Sequence, residues 1–265
     1  MLPLIFFLAL YGYIDTKRIV VRKYSAYFEN LPDEFDGYSI LHLSDFHFTR
    51  YSRWVDSIGE YIRNLPTDMA VITGDFRYKK YTDSRGALES MERLAPAFRV
   101  RDGIYACLGN KDTAAMIPGL EKLGIKVLRN SNIKIQRNGG KIYLLGVDER
   151  HPYKNFSTDA ADSLRGIPEG TFRILLAHTP DYIKWSRLFE TDLILAGDTH
   201  GGQIRLPLIG PVAVKSRVSR RYCRGWISEG GARMFINSGL GSVGLPIRTF
   251  CRPEIVKIVL RRGTI

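Results

Sequence analysis

Short apolar runs alternate with helical periodicities along the first half of the chain. Ser39 to Leu43, Met69 to Thr73 and Ile104 to Leu108 are dominated by Leu, Ile, Val, Met and Ala and are too short to be helices. Each is followed by a polar or glycine-containing turn and then by apolar residues at three- and four-residue spacing, in Arg53 to Leu65, Ser84 to Leu94 and Thr113 to Leu123. This is the pattern of repeated strand-helix units. The second half changes character: Ile133 to Arg137 and Lys141 to Val147 flank Asn138-Gly139-Gly140, a hairpin turn signal, and further strands are expected at Phe172 to Ala177, Asp192 to Ala196, Met234 to Asn237 and Ile255 to Leu260. Ahead of all these, Arg18 to Tyr24 alternates basic and apolar residues like an edge strand, and Leu31 to Gly37 is a turn-rich lead-in. With no internal repeat, low-complexity tract or linker, the economical architecture is one α/β domain of two packed sheets with outer helices.

The N-terminus departs from this pattern. Leu2 to Ile14 carries no charge, and Lys17, Arg18, Arg22 and Lys23 follow it. Roughly 13 residues fall short of the about 20 that a bilayer-spanning helix needs. The positive charges lie behind the apolar stretch rather than ahead of it, unlike a secretory signal, and on that side they favour a cytoplasmic domain. Residues 1–24 are therefore read as an apolar anchor with a basic flank, dipping into the membrane or forming a truncated signal anchor, and residues 25–265 as the globular domain. A buried N-terminal helix is the alternative.

Charge sharpens the choice of partner. The formal net charge is +12 and the pI is near 9.7, which favours an anionic partner: nucleic acid, a phosphorylated substrate or an acidic lipid surface. No nucleic-acid-binding module is recognisable. Three widely spaced cysteines, Cys107, Cys223 and Cys251, make neither a disulfide framework nor a zinc ribbon. No GxSxG elbow occurs, so serine nucleophilic catalysis lacks its signature.

The chemistry-bearing residues sit just past strand ends, the edge of an open α/β sheet where ligands bind. Asp45-Phe46-His47 follows the first of these strands, Gly74-Asp75 the second and Gly109-Asn110-Lys111-Asp112 the third. His178 follows the Phe172 to Ala177 strand, and Gly197-Asp198-Thr199-His200 the Asp192 to Ala196 strand. Each alone reads as a turn, a cap or a surface pair. Together, five loops in order each supply a metal-ligating side chain at the same point of a strand-turn unit.

This order resembles the calcineurin-like metallophosphoesterases, whose pattern is DxH, GD, GN(H/R)(D/E), a lone His and GHxH. The tail from Asn237-Ser238-Gly239 through Pro246-Ile247-Arg248 to Arg252-Pro253-Glu254 resembles the bacterial membrane-associated branch. The resemblance implies a four-layer α/β/β/α sandwich with two mixed β-sheets. It also implies that Asp45, His47 and His200 hold one divalent metal ion, that Asn110, His178 and Asp198 hold a second, and that Asp75 bridges them. Asn110, Lys111 and His178 would be the residues closest to catalysis. Two such ions clamp a phosphoryl group and acidify a bridging water, giving a metal-bridging hydroxide. Mixed imidazole, carboxylate and amide donors do not fix the metal: Mn²⁺ is the first expectation, with Mg²⁺, Fe²⁺ or Zn²⁺ as alternatives.

Two positions depart from the family pattern. Asp198 replaces the first His of GHxH, which should harden the site toward Mn²⁺ or Mg²⁺. Lys111 stands where the family often has His; its charge can neutralise a phosphate, but it is a poor proton donor. A basic residue there resembles the GNRD variant of hydrolases that cleave UDP-2,3-diacylglucosamine. The expected function is thus metal-dependent hydrolysis of a phosphoester or pyrophosphate bond in a phosphorylated small-molecule or lipid-linked substrate, on an anionic membrane surface at the cytoplasmic face of the bacterial inner membrane. The alternatives are a broad nucleotide phosphodiesterase and a degenerate member that binds metal or nucleic acid without turnover. His42 reads as a core histidine. Asp148, Glu149 and His151 could orient ligands or be solvated loop residues. Arg77, Tyr78, Lys79, Lys80 and Tyr81 would form a substrate-facing loop or a solvated face, and Lys215, Arg217, Arg220, Arg221 and Arg224 would suit an acidic lipid surface.

Overall fold

A computed structural model describes residues 10–81, 83–148, 156–214 and 222–264. One sheet contains β1 (Val20–Phe28), β2 (Ser39–Leu43), β3 (Met69–Thr73), β4 (Ile104–Cys107), β5 (Ile125–Val127) and the C-terminal β14 (Glu254–Arg262), in the order β1-β14-β2-β3-β4-β5. The other contains β6 (Ser131–Arg137), β7 (Gly140–Gly146), β8 (Arg173–Leu176), β9 (Leu193–Ala196), β12 (Gly225–Glu229) and β13 (Ala232–Ile236), in the order β12-β13-β9-β8-β7-β6. Both sheets are mixed: β2 to β5 run parallel while β14 is antiparallel to β2, and β7, β8, β9 and β13 run parallel between antiparallel β6 and β12. A two-stranded hairpin, β10 (Arg205–Leu206) with β11 (Gly210–Pro211), stands apart.

Alternation along each strand builds the layers. In β2 to β4, Leu41, Leu43, Ala70, Ile72 and Ala106 face the helices α2 (Arg53–Arg63), α3 (Arg85–Leu94) and α4 (Ile117–Lys122), where Val55, Ile58, Ile62, Met91 and Leu120 meet them. Ile40, Met69, Val71, Tyr105 and Cys107 point the other way, onto Ile142, Leu144, Ile174, Leu176, Leu193 and Leu195 of the second sheet. The far face of that sheet, Leu145, Leu175, Ile194 and Met234, packs under α5 (Phe156–Leu164) and the turn of Tyr182 and Ile183. The result is the expected α/β/β/α sandwich. Strands buried on both faces need continuous apolar sequence, which is why these runs lack the polar alternation of a half-exposed sheet. Each fully buried Leu, Ile or Val contributes about 1.5–3 kcal/mol from burial.

Element ends differ from expectation for local reasons. The helix expected from Arg53 to Leu65 stops at Arg63 because Pro66 disfavours helical geometry in the residue before it. The helix expected from Thr113 begins as a 3₁₀ turn, Ala114–Met116, and restarts at Ile117 with Pro118 in its first turn, where a missing N–H costs nothing. The edge strands β5 and β12, the hairpin β10–β11 and α5 carry no pattern strong enough to announce them.

At the N-terminus, residues 10–15 form the described part of a helix, α1. Its last turn is tied to the loop before β14: the Arg248 amide donates to Gly12 O (3.0 Å) and to Thr16 Oγ1 (3.0 Å), and the Arg252 guanidinium donates to Asp15 Oδ1 (2.9 Å). Among the described residues no helix is long and apolar enough to cross a membrane. Residues 1–9 of the apolar stretch lie outside the described residues.

Candidate metal centre

Seven side chains converge where the C-terminal ends of β2, β3, β4, β8 and β9 meet. Asp45 and His47 leave β2, Asp75 leaves β3, Asn110 leaves β4, His178 leaves β8, and Asp198 and His200 leave β9. Cross-sheet hydrogen bonds fix the meeting point. His178 Nδ1 donates to Thr73 O at the end of β3 (2.7 Å), the Asp198 amide donates to Asp45 Oδ2 (3.0 Å), and Asn237 Nδ2 donates to His42 O (2.9 Å).

The backbone is bent to aim these side chains inward. Asp45, His47, Asp75, Asp198 and His200 have φ of 52°, 48°, 54°, 67° and 51°, in the left-handed region that residues with a β-carbon seldom adopt. Five such residues in one cluster is where strain is kept for function. The neighbouring glycines leave no alternative: a β-carbon on Gly197 would lie 2.0 Å from Ser44 Oγ, and one on Gly109 would lie 2.3 Å from Asp75 Oδ1.

The donor atoms form two groups joined by carboxylates. Asp45 Oδ1 lies 3.7 Å from His47 Nε2 and 3.5 Å from His200 Nε2, and the two Nε2 atoms are 3.0 Å apart. On the other side, His178 Nε2 lies 3.5 Å from Asp75 Oδ1 and 3.4 Å from Asp198 Oδ1. Asp75 faces both groups, its Oδ2 being 3.6 Å from His47 Nε2. The sets Asp45, His47, His200 and Asp45, Asp75, His178 each bring one ligand atom per residue within 4.8 Å of the others, all of them buried.

A divalent cation fits these atoms. Asp45 Oδ1 and His178 Nε2 are buried with no hydrogen-bond partner among the described residues, and both belong to the clusters just described. His47 and His178 place Nδ1 against carbonyl oxygens, Arg77 O (3.3 Å) and Thr73 O (2.7 Å), so each Nδ1 donates and Nε2 is the nitrogen turned toward the cluster, where a cation would displace any proton it carries. His200 is held differently: its Nδ1 faces Arg248 Nη2 (3.2 Å) and accepts from it. A neutral His200 then carries its proton on Nε2, toward His47 Nε2, where a cation would take the proton's place.

Burial and charge oppose each other throughout the cluster. Burial alone would raise Asp45 and Asp75, but His200, His47 and His178 hold Asp45 well below the usual carboxylate range, and His178 and His47 lower Asp75. Burial would lower His178, yet Asp75 and Asp198 raise it well above 6.5. His200 is pushed down to about 3 by burial, Asp45 opposing and His47 and Arg248 reinforcing. The cluster is thus a buried carboxylate site in need of positive charge.

Asn110 and Lys111 sit at its rim. Asn110 Nδ2 donates to Asp198 Oδ1 (3.0 Å), while Asn110 Oδ1 accepts from the Lys111 ammonium. For this oxygen to ligate a cation, Lys111 must turn toward the adjoining cavity of about 260 Å³, which Lys111, Asp75, Asp198 and His200 line.

Two residues of the centre carried no role in the sequence reading. Asp112, fully enclosed, accepts from the amides of Asp75 (2.8 Å), Phe76 (3.0 Å) and Gly109 (2.8 Å), tying two ligand loops together. Burial and the nearby Asp75 push Asp112 up to about 7. Its acidic place in the GNKD run was the available signal. Arg248 is wholly buried and, among the described residues, has no carboxylate ion-pair partner, donating to Ser238 O (2.8 Å), Gly241 O (2.9 Å) and Cys251 O (3.2 Å) as well as to His200. No local pattern announces a buried arginine.

The remaining sequence candidates are elsewhere. His42 is a core histidine, its Nε2 bonded to Thr73 Oγ1 at 3.0 Å. Arg77 is buried and binds Lys111 O and Lys80 O, so it braces the loop after Asp75; Tyr81 in the same run is exposed. Asp148 pairs with Arg129 at 2.9 Å. Glu149, His151, Lys215, Arg217, Arg220 and Arg221 lie outside the described residues.

Residues 38–202 match the family model described as calcineurin-like phosphoesterase. The chain is 28% identical over 227 residues to the metallophosphoesterase YkoQ of Bacillus subtilis, covering 82% of this chain and 81% of that one. It is 29% identical over 259 residues to the phosphodiesterase YaeI of Escherichia coli, covering 91% and 87% respectively. The fold is similar to the crystal structure of TT1561 of Thermus thermophilus, with a TM-score of 0.51 at 12% identity over 77% of this chain and 90% of that one. Family members use a dinuclear site for divalent metals, and the carboxylate and imidazole cluster described above supplies groups able to hold them. The chain therefore belongs to the calcineurin-like phosphoesterase family and is a metal-dependent phosphohydrolase.

Proposed function

We propose that the chain hydrolyses a phosphodiester or pyrophosphate bond in a membrane-associated substrate, with one cation held by Asp45, His47 and His200, a second by Asn110, His178 and Asp198, and Asp75 between them. The observation that carries this is the placement of Asp75, whose two oxygens face His47 at 3.6 Å and His178 at 3.5 Å. Bound there, two divalent cations would draw charge from the phosphoryl oxygens and bring a water's pKa down toward neutrality. The chain's own groups do the rest. Arg77 O and Thr73 O orient two of the imidazoles, Asp112 holds the loops of Asp75 and Asn110 together, and the Lys111 ammonium at the cavity wall can neutralise a second phosphate.

The carboxylate of Asp198 favours Mn²⁺ or Mg²⁺ over softer ions. Diester or pyrophosphate chemistry is supported by the name of the relative YaeI, a phosphodiesterase, and by Lys111. UDP-2,3-diacylglucosamine is the substrate to test first, since it joins a diphosphate to acyl chains and would be met at the cytoplasmic face of the inner membrane. The test is a turnover screen of the full chain with Mn²⁺ against that lipid, a water-soluble phosphodiester and a phosphomonoester, with and without chelator. Chelator-sensitive cleavage of lipid and diester is expected, lost by about 10²–10³-fold in Asp75→Asn, because several kcal/mol of charge stabilisation depends on that carboxylate. Turnover that survives both chelator and Asp75→Asn would refute the assignment.

A further inference from the structure

Leu208 and Ile209 stand out of the molecule, 107% and 70% exposed, at the tip of the β10–β11 hairpin. The hairpin's ladder holds two residue pairs, Arg205 with Pro211 and Leu206 with Gly210. Leu208 also has a φ of 67°, a backbone conformation that a bulky residue adopts at a cost. Among the described residues nothing packs against this strained, water-exposed hydrophobe, which points to a partner outside them.

The tip is mounted on the candidate metal centre. Ile204 and Val212, at the hairpin base, line the same cavity as Lys111, Asp198 and His200, and the Val212 amide donates to Ile204 O (3.0 Å). Gln203 Nε2 donates to Val243 O (3.0 Å) and Leu245 O (3.1 Å), and Ile204 pairs with Thr249. These bonds bring exposed Leu245 and Phe250 to the hairpin base, and Phe250 is again at positive φ (52°). The Phe250 ring meets Tyr11 of α1 at 5.2 Å, and α1 also carries the exposed Leu10 and Ile14.

We propose that Leu208 and Ile209, with Leu245 and Phe250, insert into the surface of an anionic bilayer and seat the mouth of the cavity at the headgroups. The proposal rests on the reading of the site as one that acts on a membrane-borne phosphoester. A bilayer, rather than a protein, is indicated by three features. The sequence entering α1, Leu2 to Ala9, is uncharged and apolar, so the chain arrives at this patch from a segment with the same preference. The exposed cations Lys17 and Arg18 follow α1, and Arg224 adjoins Cys223, whose carbonyl accepts from Thr199 beside the centre. The net charge of +12 adds a general attraction to acidic lipid.

The native cysteines Cys107, Cys223 and Cys251 are buried, so Leu208→Cys in the full chain takes an environment-sensitive fluorophore selectively. On phosphatidylglycerol-containing vesicles its emission should shift to the blue and be quenched by nitroxide-labelled lipid. The double variant Leu208→Asp, Ile209→Asp should bind those vesicles roughly tenfold or more weakly, while turning over a water-soluble diester at the wild-type rate. A label that stays in water on vesicle-bound protein, an unchanged vesicle affinity, or a variant effect confined to self-association would overturn the proposal. If neither protein cleaves the water-soluble diester, the hydrolase reading fails, and the label still decides the surface.

Discussion

Asp198 is the proposed ligand that replaces the first His of the family's GHxH pattern, and its geometry makes the departure testable. Its Oδ1 is 3.4 Å from His178 Nε2 and takes the Asn110 amide, so it sits within the second cluster. Replacing it by the softer imidazole, Asp198→His, should shift the metal giving highest turnover from Mn²⁺ or Mg²⁺ toward Zn²⁺. Activity profiles across these ions, measured on metal-stripped protein, check this; an unchanged profile would remove Asp198 from the ligand set. At this scale the seven converging positions were legible as motifs just past strand ends, while their roles as ligands were implied only by the family resemblance. Arg248 and the left-handed backbone of Asp45, His47, Asp75, Asp198 and His200 could not be read, since neither depends on neighbours in sequence.

Among the elements, β2 and β3 carry a polar contact through the core between the sheets. His42, fully enclosed, holds Thr73 Oγ1 with Nε2 and leaves Nδ1 without a partner. Burial pushes its pKa down to about 3 from 6.5, with Asp45 opposing weakly. The unfolded chain therefore takes up this proton first as pH falls, and stability declines between pH 6.5 and 3 and levels off below. Urea unfolding of metal-free protein should show wild type losing about 2 kcal/mol more than His42→Gln between neutral pH and pH 4.5. Equal losses would mean that His42 does not stay neutral. The strands themselves were legible, since a doubly covered sheet demands continuous apolar runs. Edge strands such as β5 and β12, and the two-residue ladders of β10 and β11, are held by neighbours instead and leave no periodic trace.

For the whole molecule, the N-terminus belongs to the folded body further out than its composition suggests. Gly12, Asp15 and Thr16 hold the loop whose Arg248 reaches His200, so the docked turn of α1 braces the candidate centre. Removing residues 1–9 should release the protein from anionic vesicles and leave soluble diester turnover within about twofold of wild type, whereas removing 1–16 should lower that turnover at least tenfold by loosening the loop. Vesicle flotation and diester assays of both forms separate the two effects; equal turnover of both would deny the brace. Two packed sheets with outer helices followed from the order of strands and helices, and the family resemblance implied the four layers. The contact of Gly12, Asp15 and Thr16 with the loop before β14 could not be read, because long-range packing has no signature in local pattern. The central claim is that one cluster holds two cations with Asp75 between them. Anomalous diffraction from a crystal grown with Mn²⁺ tests it most directly: two peaks about 3.5–4 Å apart, one beside Asp45, His47 and His200 and the other beside His178 and Asp198, are predicted, and a single peak, or Mn²⁺ bound away from Asp75, would contradict it.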